Sequence, residues 1–443
     1  MSMTDKTKLV FNWLGPRGPI WNTEVPNVFS FANATEQCAV KTHNWWSDDT
    51  WLTLFKHAND EYEIDCSFNI ELDDERFFVY PFTLAWRIPF ESYFMGNTGL
   101  LEFAHMPGHL INLVRNKNGY ILINHSVEAF MGFGHISALH SYFNGTHGIP
   151  LHKIIYLTGC INSAEMYEKY CTDNNVPEGK ENRLTIISYP SSQTIFKSNM
   201  EEAEPIYDTE FVPEKLFLVW NRRYRNHRVI LALMLESLNL IDRTYISFSD
   251  VHIERQTRSF AHEVPYHLIQ NWDLSMLTEE VVNSFAARLP LVLDNETNIN
   301  QMCQDLGNIS RPYYQNSLVS LITETNFTEN EVTLTEKSFK PFKEKHPFIT
   351  VGVSGALKGL KKIGFRTFDE FWDEGYDELE NPSFRMQAIR NIIAEIATWD
   401  NDRILDFKRR VKPILDHNYN VLKNSSPRTV ALEINNIVRG NNA

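Results

Sequence analysis

Several protein classes are marked by features this chain does not have. Its five cysteines (Cys38, Cys66, Cys160, Cys171, Cys303) are odd in number and contain no Cys-x-x-Cys pair. That argues against a complete disulfide set, and the expectation is reduced thiols. No apolar run approaches the length that spans a bilayer, so no membrane span is expected. The opening Met1-Ser-Met-Thr-Asp-Lys-Thr-Lys leads straight into a strand-length apolar segment, without the apolar core and small-residue cleavage site of a signal peptide. The expected location is therefore the cytoplasm, where the sequons at Asn144 and Asn326 have little meaning. There is no Gly-x-Gly-x-x-Gly, no phosphate loop ending in Gly-Lys-Ser/Thr and no Gly-x-Ser-x-Gly, which lowers dehydrogenase, kinase and esterase readings. Positive charge is also scarce: the formal net charge of -14 disfavours indiscriminate attraction to a polyanion, though not a local basic groove.

What is present is an ordinary globular composition, 43% hydrophobic and 22% charged, on 443 residues, more than one hydrophobic core usually serves. Two domains are expected. Strand signals at Leu9–Leu14, Tyr62–Ile70, Phe77–Pro81, Gly119–His125, Lys153–Gly159 and Leu184–Pro190 alternate with helical patterns near Trp45–His57, from His105, up to Phe143 and over Ala164–Cys171. That alternation predicts a parallel sheet with crossovers. The polar, acidic stretch 198–213 reads as a linker. A second alternation follows: a strand at Lys215–Asn221, a helix at His227–Leu240, an element near Tyr245, a strand at Asn316–Thr325, a helix from Glu336, a strand at Pro347–Gly352 and a helix at Ala356–Ile363. Thr367–Trp372 reads as a short strand or turn, and Ser383–Leu422 as helical with its break at Pro413. The expected domains are 1–205, 206–410 and a helical segment 411–443 that packs back on the first.

The few cations gather in two places. Asn221-Arg-Arg-Tyr-Arg-Asn-His-Arg228 sits between a strand and a helix, where free N–H groups, the helix dipole and guanidinium forks suit a diphosphate. Arg222, Arg223 and Arg225 are the candidates, against the plainer reading of a basic turn capping a helix. The second group lies in Thr333-Leu-Thr-Glu-Lys-Ser-Phe-Lys-Pro-Phe-Lys, which opens a helix feeding a buried strand. A carboxylate at Glu336 can accept two hydroxyl donors and an ammonium at Lys337 answers a phosphate; the alternative is a capped helix with a solvated charge pair.

The Thr335-Glu336-Lys337 triplet at a helix start, followed by the strand to Gly352, resembles the nucleotide-sugar-binding region of fucosyltransferase-like glycosyltransferases. The resemblance covers mainly Leu216 to Phe371. It implies an α/β fold of two facing Rossmann-like domains, the GT-B architecture, with C-terminal helices. It also implies a nucleotide-diphosphate sugar as co-substrate, no further cofactor and no metal. Glu336 would take the ribose, Lys337 a phosphate, and Thr335 the helix cap. The family's Phe-Glu-Asn-Ser segment is replaced here by similar residues in another order, leaving Glu324 as a donor-site candidate and the sugar undetermined. In overall style the chain also resembles transferases of large-genome tailed phages, which glycosylate hydroxymethylated pyrimidines in their DNA; a glycan or lipopolysaccharide is the rival acceptor. A non-catalytic nucleotide-binding or adaptor protein is the reading from a different class.

For a general base, Glu128 follows the Ile121-Leu-Ile-Asn strand and is the first candidate, with a dipole-stabilised helix acid as the competing reading. Asp48 and Asp49, among Trp45, Trp46 and Trp51, are second choices. His105, His109, His135 and His140 do not make a convincing metal site, since a Pro-Gly break interrupts the first pair and no third ligand is evident.

Overall fold

The computed structural model describes residues 6–10, 58, 60–65, 77–83, 108–126, 133–193, 204–221, 225–248, 272–293 and 311–440. Within them the expectation of an α/β fold on two parallel sheets holds. The chain divides into two units, Met1–Ser191 with Ser426–Ala443, and Ser192–Ser425.

The first unit carries β1 (Thr7–Val10), β2 (Tyr62–Asp65), β3 (Phe78–Thr83), β4 (Gly119–His125), β5 (Ile154–Thr158) and β6 (Thr185–Ser188), all parallel in the order β2-β1-β3-β4-β5-β6. Alternate side chains of its central strands enter two different cores. Phe78, Tyr80, Ile121, Ile123, Ile154 and Tyr156 meet α1 (Gly108–Asn116), α2 (Phe133–Leu139) and α3 (Ser163–Asp173). Val79, Leu122, Ile155 and Leu157 meet Ala431, Ile434 and Val438 of the C-terminal helix Pro427–Arg439. Burial on both faces is why these strands read as unbroken apolar runs. The C-terminal helix is tied on by Thr7 Oγ1 donating to Asn435 Oδ1 at 2.7 Å, Tyr62 OH donating to the Ala431 carbonyl at 2.7 Å, and an Arg428–Glu61 ion pair at 2.8 Å.

The second unit runs β7 (Lys215–Trp220), α4 (Asn226–Ser237), β8 (Thr244–Ser247), α5 (Glu279–Ala286), α6 (Arg311–Gln315), β9 (Ser317–Thr323), α7 (Glu336–Lys343), β10 (Phe348–Val351), α8 (Ala356–Lys362), α9 (Pro382–Ile396) and α10 (Asn401–Asn424). Its strands are parallel in the order β10-β9-β7-β8. The chain leaves β7 on one side for β8 and returns on the other side for β9 and β10, so the winding reverses between β7 and β9.

Local expectations needed correction in two places, over His140–Thr146 and at Pro413. The helix toward Phe143 ends as a wider π-helical turn over His140–Thr146. The helix expected from His105 is present over Gly108–Asn116, and residues 105–107 lie outside the described residues. Of the two readings of Thr367–Trp372 the turn holds: its Phe368 N–H and Thr367 hydroxyl bond the Glu374 carboxylate, at 2.7 and 2.6 Å. Helix α10 passes through Pro413, losing the one bond proline cannot make, while the break falls at 397–400, where Asp400 caps α10 by accepting from Arg403 N at 2.8 Å. The Trp45–His57 helix lies outside the described residues.

Candidate functional site

In an open parallel sheet, ligands enter the crevice at the carboxyl ends of strands where the winding reverses. In the second unit that point lies between Asn221, after β7, and Glu324, after β9. The register pairs β7 with β9 through Lys215 and Ser317, Phe217 and Val319, and Leu218 and Ser320. Carried forward, it sets Asn221 beside Thr323, and the Thr323 hydroxyl donates to Asn221 Oδ1 at 2.6 Å.

Glu324 is almost fully buried at 1% exposure, and its carboxylate organises the start of α7. Oε1 accepts from Thr335 N at 3.1 Å and Ser338 Oγ at 2.6 Å; Oε2 accepts from Thr335 Oγ1 at 2.6 Å and Thr325 N at 3.1 Å. Four donors fill the sites an ionised carboxylate offers. Thr335, with extended backbone, caps α7 by accepting from Lys337 N at 3.5 Å. Lys337 Nζ lies 2.5 Å from Glu336 Oε1 and 3.2 Å from Thr335 Oγ1. Glu336 and Lys337 keep 27% and 23% of their side chains exposed. Burial works against ionising Glu336, but Lys337 and Lys340 outweigh it and hold its carboxyl down at about 2. It is an anion at every physiological pH.

The start of α4 is sewn to the same corner. His227 Nε2 lies 2.9 Å from the Glu324 carbonyl, which only accepts, so Nε2 carries the proton. Arg228 Nη2 donates to the Thr323 and Glu324 carbonyls at 3.2 and 3.3 Å. The His227 ring stacks on Phe327, centroids 5.2 Å apart. Burial, then Arg228, with further pushes from Arg225 and Lys337, lower its pKa to about 3. The candidates Arg225, Glu324, Thr335, Glu336 and Lys337 thus share one edge of one sheet. Arg222, Arg223, Glu128, Asp48 and Asp49 lie outside the described residues.

The helix starts around this edge differ. Asp377 occupies that of α8, accepting from Leu357 N at 2.9 Å and Lys358 N at 3.0 Å, and Thr335 occupies that of α7. At α4 the N-cap is Arg225, which provides no side-chain cap, and the first turn holds no acid. Sequence reading missed Asp377 and also Arg385. The Arg385 guanidinium, 2% exposed, gathers the Gly352 carbonyl at 3.1 Å together with those of Leu379, Glu380 and Phe327, and lies 4.4 Å from the centre of the Phe327 ring. An arginine between Phe384 and Met386 gives no local signal of that role.

In the first unit, His125 at the end of β4 meets Tyr156 OH at 2.5 Å, and Asn124 Oδ1 accepts from Ser126 N and Oγ at 3.0 and 2.7 Å. His140 contacts Tyr167 OH at 3.0 Å and burial, with Arg183, lowers its pKa to about 4; His109 is exposed. Among the described residues no group of three His, Cys, Asp or Glu side chains is placed to hold a metal ion, and no helix is long and apolar enough to cross a membrane. Cys160 and Cys171 are buried and in no disulfide among the described residues, and the Cys160 thiol donates to Asn162 Oδ1 at 3.0 Å.

Two neutral histidines in the second unit set its acid sensitivity. His346 joins Ser320 Oγ at 2.8 Å and the Ser317 carbonyl at 2.9 Å, and burial brings its pKa to about 4. Because His227 and His346 titrate lower folded than unfolded, the unfolded chain binds more protons as pH falls below about 6.5, so their share of stability is present above that value and is lost toward pH 4 and below. Urea unfolding at pH 5.5 should find this unit about 3 kcal/mol less stable than at pH 7.5 on their account.

No protein-family model matches the chain, and no curated protein matches it. A solved structure, from a study of trehalose-6-phosphate synthase and glycosyl transfer with retention, is similar over 98% of this chain and 99% of that one, at 10% identity and a TM-score of 0.40. A likeness that weak assigns no activity.

Proposed function

We propose that the chain is a glycosyltransferase that moves a sugar from a nucleoside-diphosphate donor to an acceptor hydroxyl, with the donor held at the carboxyl edge of the second sheet. One observation carries the reading: at the winding reversal, the cationic start of α4, which among the described residues has no side-chain cap from its N-cap Arg225, is bonded through Glu324 to the acid–base corner at the start of α7. Such a helix start, flanked by Arg225, and by Arg222 and Arg223 in sequence, suits a diphosphate. Glu336, ionised and partly exposed, accepts the two ribose hydroxyls, and Lys337 meets a phosphate. Glu324 positions that pair through Thr335.

In the transfer, the acceptor oxygen bonds to the anomeric carbon as the bond to the diphosphate oxygen breaks. The acceptor proton passes to a base, for which Glu128 is the sequence candidate, and the diphosphate leaves into the cationic edge. These fixed positive groups can take the leaving charge without a metal, so turnover is expected to persist in EDTA. The test is release of nucleoside diphosphate from a panel of nucleotide sugars, with and without acceptors. Release supports the enzyme; binding without release under every acceptor supports a nucleotide-binding adaptor. A mass shift of hydroxymethylcytosine DNA against one of a glycan or lipopolysaccharide decides the acceptor.

A further inference from the structure

We infer that Asn221 is a further ligand-binding residue, its side-chain amide donating a hydrogen bond to a diphosphate oxygen at the β7–β9 winding reversal. The inference rests on the donor-site reading above and adds a neutral donor to its charged groups. Asn221 is 1% exposed, its backbone N–H donates to the Ser247 carbonyl at 3.1 Å, and its Oδ1 takes the Thr323 hydroxyl at 2.6 Å. Its Nδ2 is buried and has no partner among the described residues. Turning the amide over does not help: Thr323 would then accept from Nδ2, and Oδ1 would be left instead.

Pinning β7 to β9 through the Thr323 hydroxyl takes one acceptor, which Oδ1 supplies, and the amide nitrogen plays no part in that bond. Asparagine keeps a second polar arm, and leaving such an arm buried and unpaired is costly. The arm stands at the strand end where ligands enter open sheets, four residues before the N-cap Arg225. Phosphate oxygens accept several hydrogen bonds at once, and a neutral amide adds direction without adding to repulsion among neighbouring cations.

The test uses the full chain with inorganic pyrophosphate and with UDP, GDP and ADP, by isothermal titration calorimetry. Asn221→Asp keeps the size and the bond from Thr323 but replaces the donor with an oxygen; Asn221→Leu removes both. Each folded variant should bind the diphosphate that the wild type binds at least tenfold more weakly. A folded variant that binds as tightly as the wild type overturns the inference and leaves the transferase reading standing. Wild type that binds pyrophosphate but no nucleotide, with the variants weakened, keeps the anion site and sinks the donor reading. Wild type that binds none of the probes ends both. Should neither variant fold, selectively labelled wild type decides: pyrophosphate must shift an asparagine side-chain amide resonance, and no shift overturns the inference.

Discussion

Replacing Glu324 with alanine is expected to cost the second unit about 4 kcal/mol of stability, because four donors lose one ionised acceptor at once. Thr335 N, Thr335 Oγ1, Ser338 Oγ and Thr325 N all converge on that carboxylate in a place water reaches poorly. Some of them will recover water when the side chain is cut back, which keeps the figure below the sum of four charged hydrogen bonds. Glu324→Gln separates charge from shape: its one oxygen still accepts, but its amide nitrogen faces donors, so about half the loss is expected. Both variants should also weaken donor binding, since Thr335 holds the Glu336–Lys337 pair in place. Chemical denaturation followed by tryptophan fluorescence reads the effect. An alanine variant within 1 kcal/mol of wild type would mean that the corner is held by something else.

The same residue shows where sequence reading stops. Glu324 became a candidate through the family resemblance, within a strand expected over Asn316–Thr325; β9 ends at Thr323, so Glu324 stands just past it. Its partners were not legible, since Thr335 and Ser338 lie 11 and 14 residues on, and the groups meeting its carbonyl lie nearly a hundred residues back. The Thr-Glu-Lys helix start and the Arg-rich strand end were visible because capping and charge clustering are local. Their meeting at one edge follows from strand order, which no local pattern encodes. The C-terminal helix illustrates a similar limit: the segment 411–443 was expected to pack back on the first domain, but that its face covers β3 to β5 again follows from strand order. Asp377 and Arg385 were missed for a related reason, each being an ordinary residue type in its own segment whose bonds run to backbone groups of other loops. Pro413 misled in the opposite direction. A long helix with a buried stripe through Phe407, Val411 and Leu415 tolerates the loss of one backbone bond.

Lys337→Ala is expected to lower nucleotide-sugar turnover by about a hundredfold or more, most of it in kcat, if its ammonium answers charge that grows as the diphosphate leaves. A lysine that only neutralised Glu336 would change KM and leave kcat alone, so the split between the two constants tests the role. The carboxyl provides an independent reading. Burial alone would raise the Glu336 pKa; Lys337, ahead of Lys340, is what brings it to about 2. A carboxyl depressed in the folded state contributes stability that is present above its ordinary value near 4.5 and fades as pH falls toward 2. Wild-type donor binding should therefore show no acid limb from Glu336 above pH 4. With Lys337 removed the carboxyl climbs, and a limb should appear as the ribose loses its ionised acceptor. Lys337→Arg should restore the flat profile, since a guanidinium holds the carboxylate ionised, while recovering turnover only in part, because its planar fork does not reproduce the compact ammonium. A variant with flat pH dependence and undiminished kcat would remove Lys337 from the reaction and leave it as half of a surface ion pair.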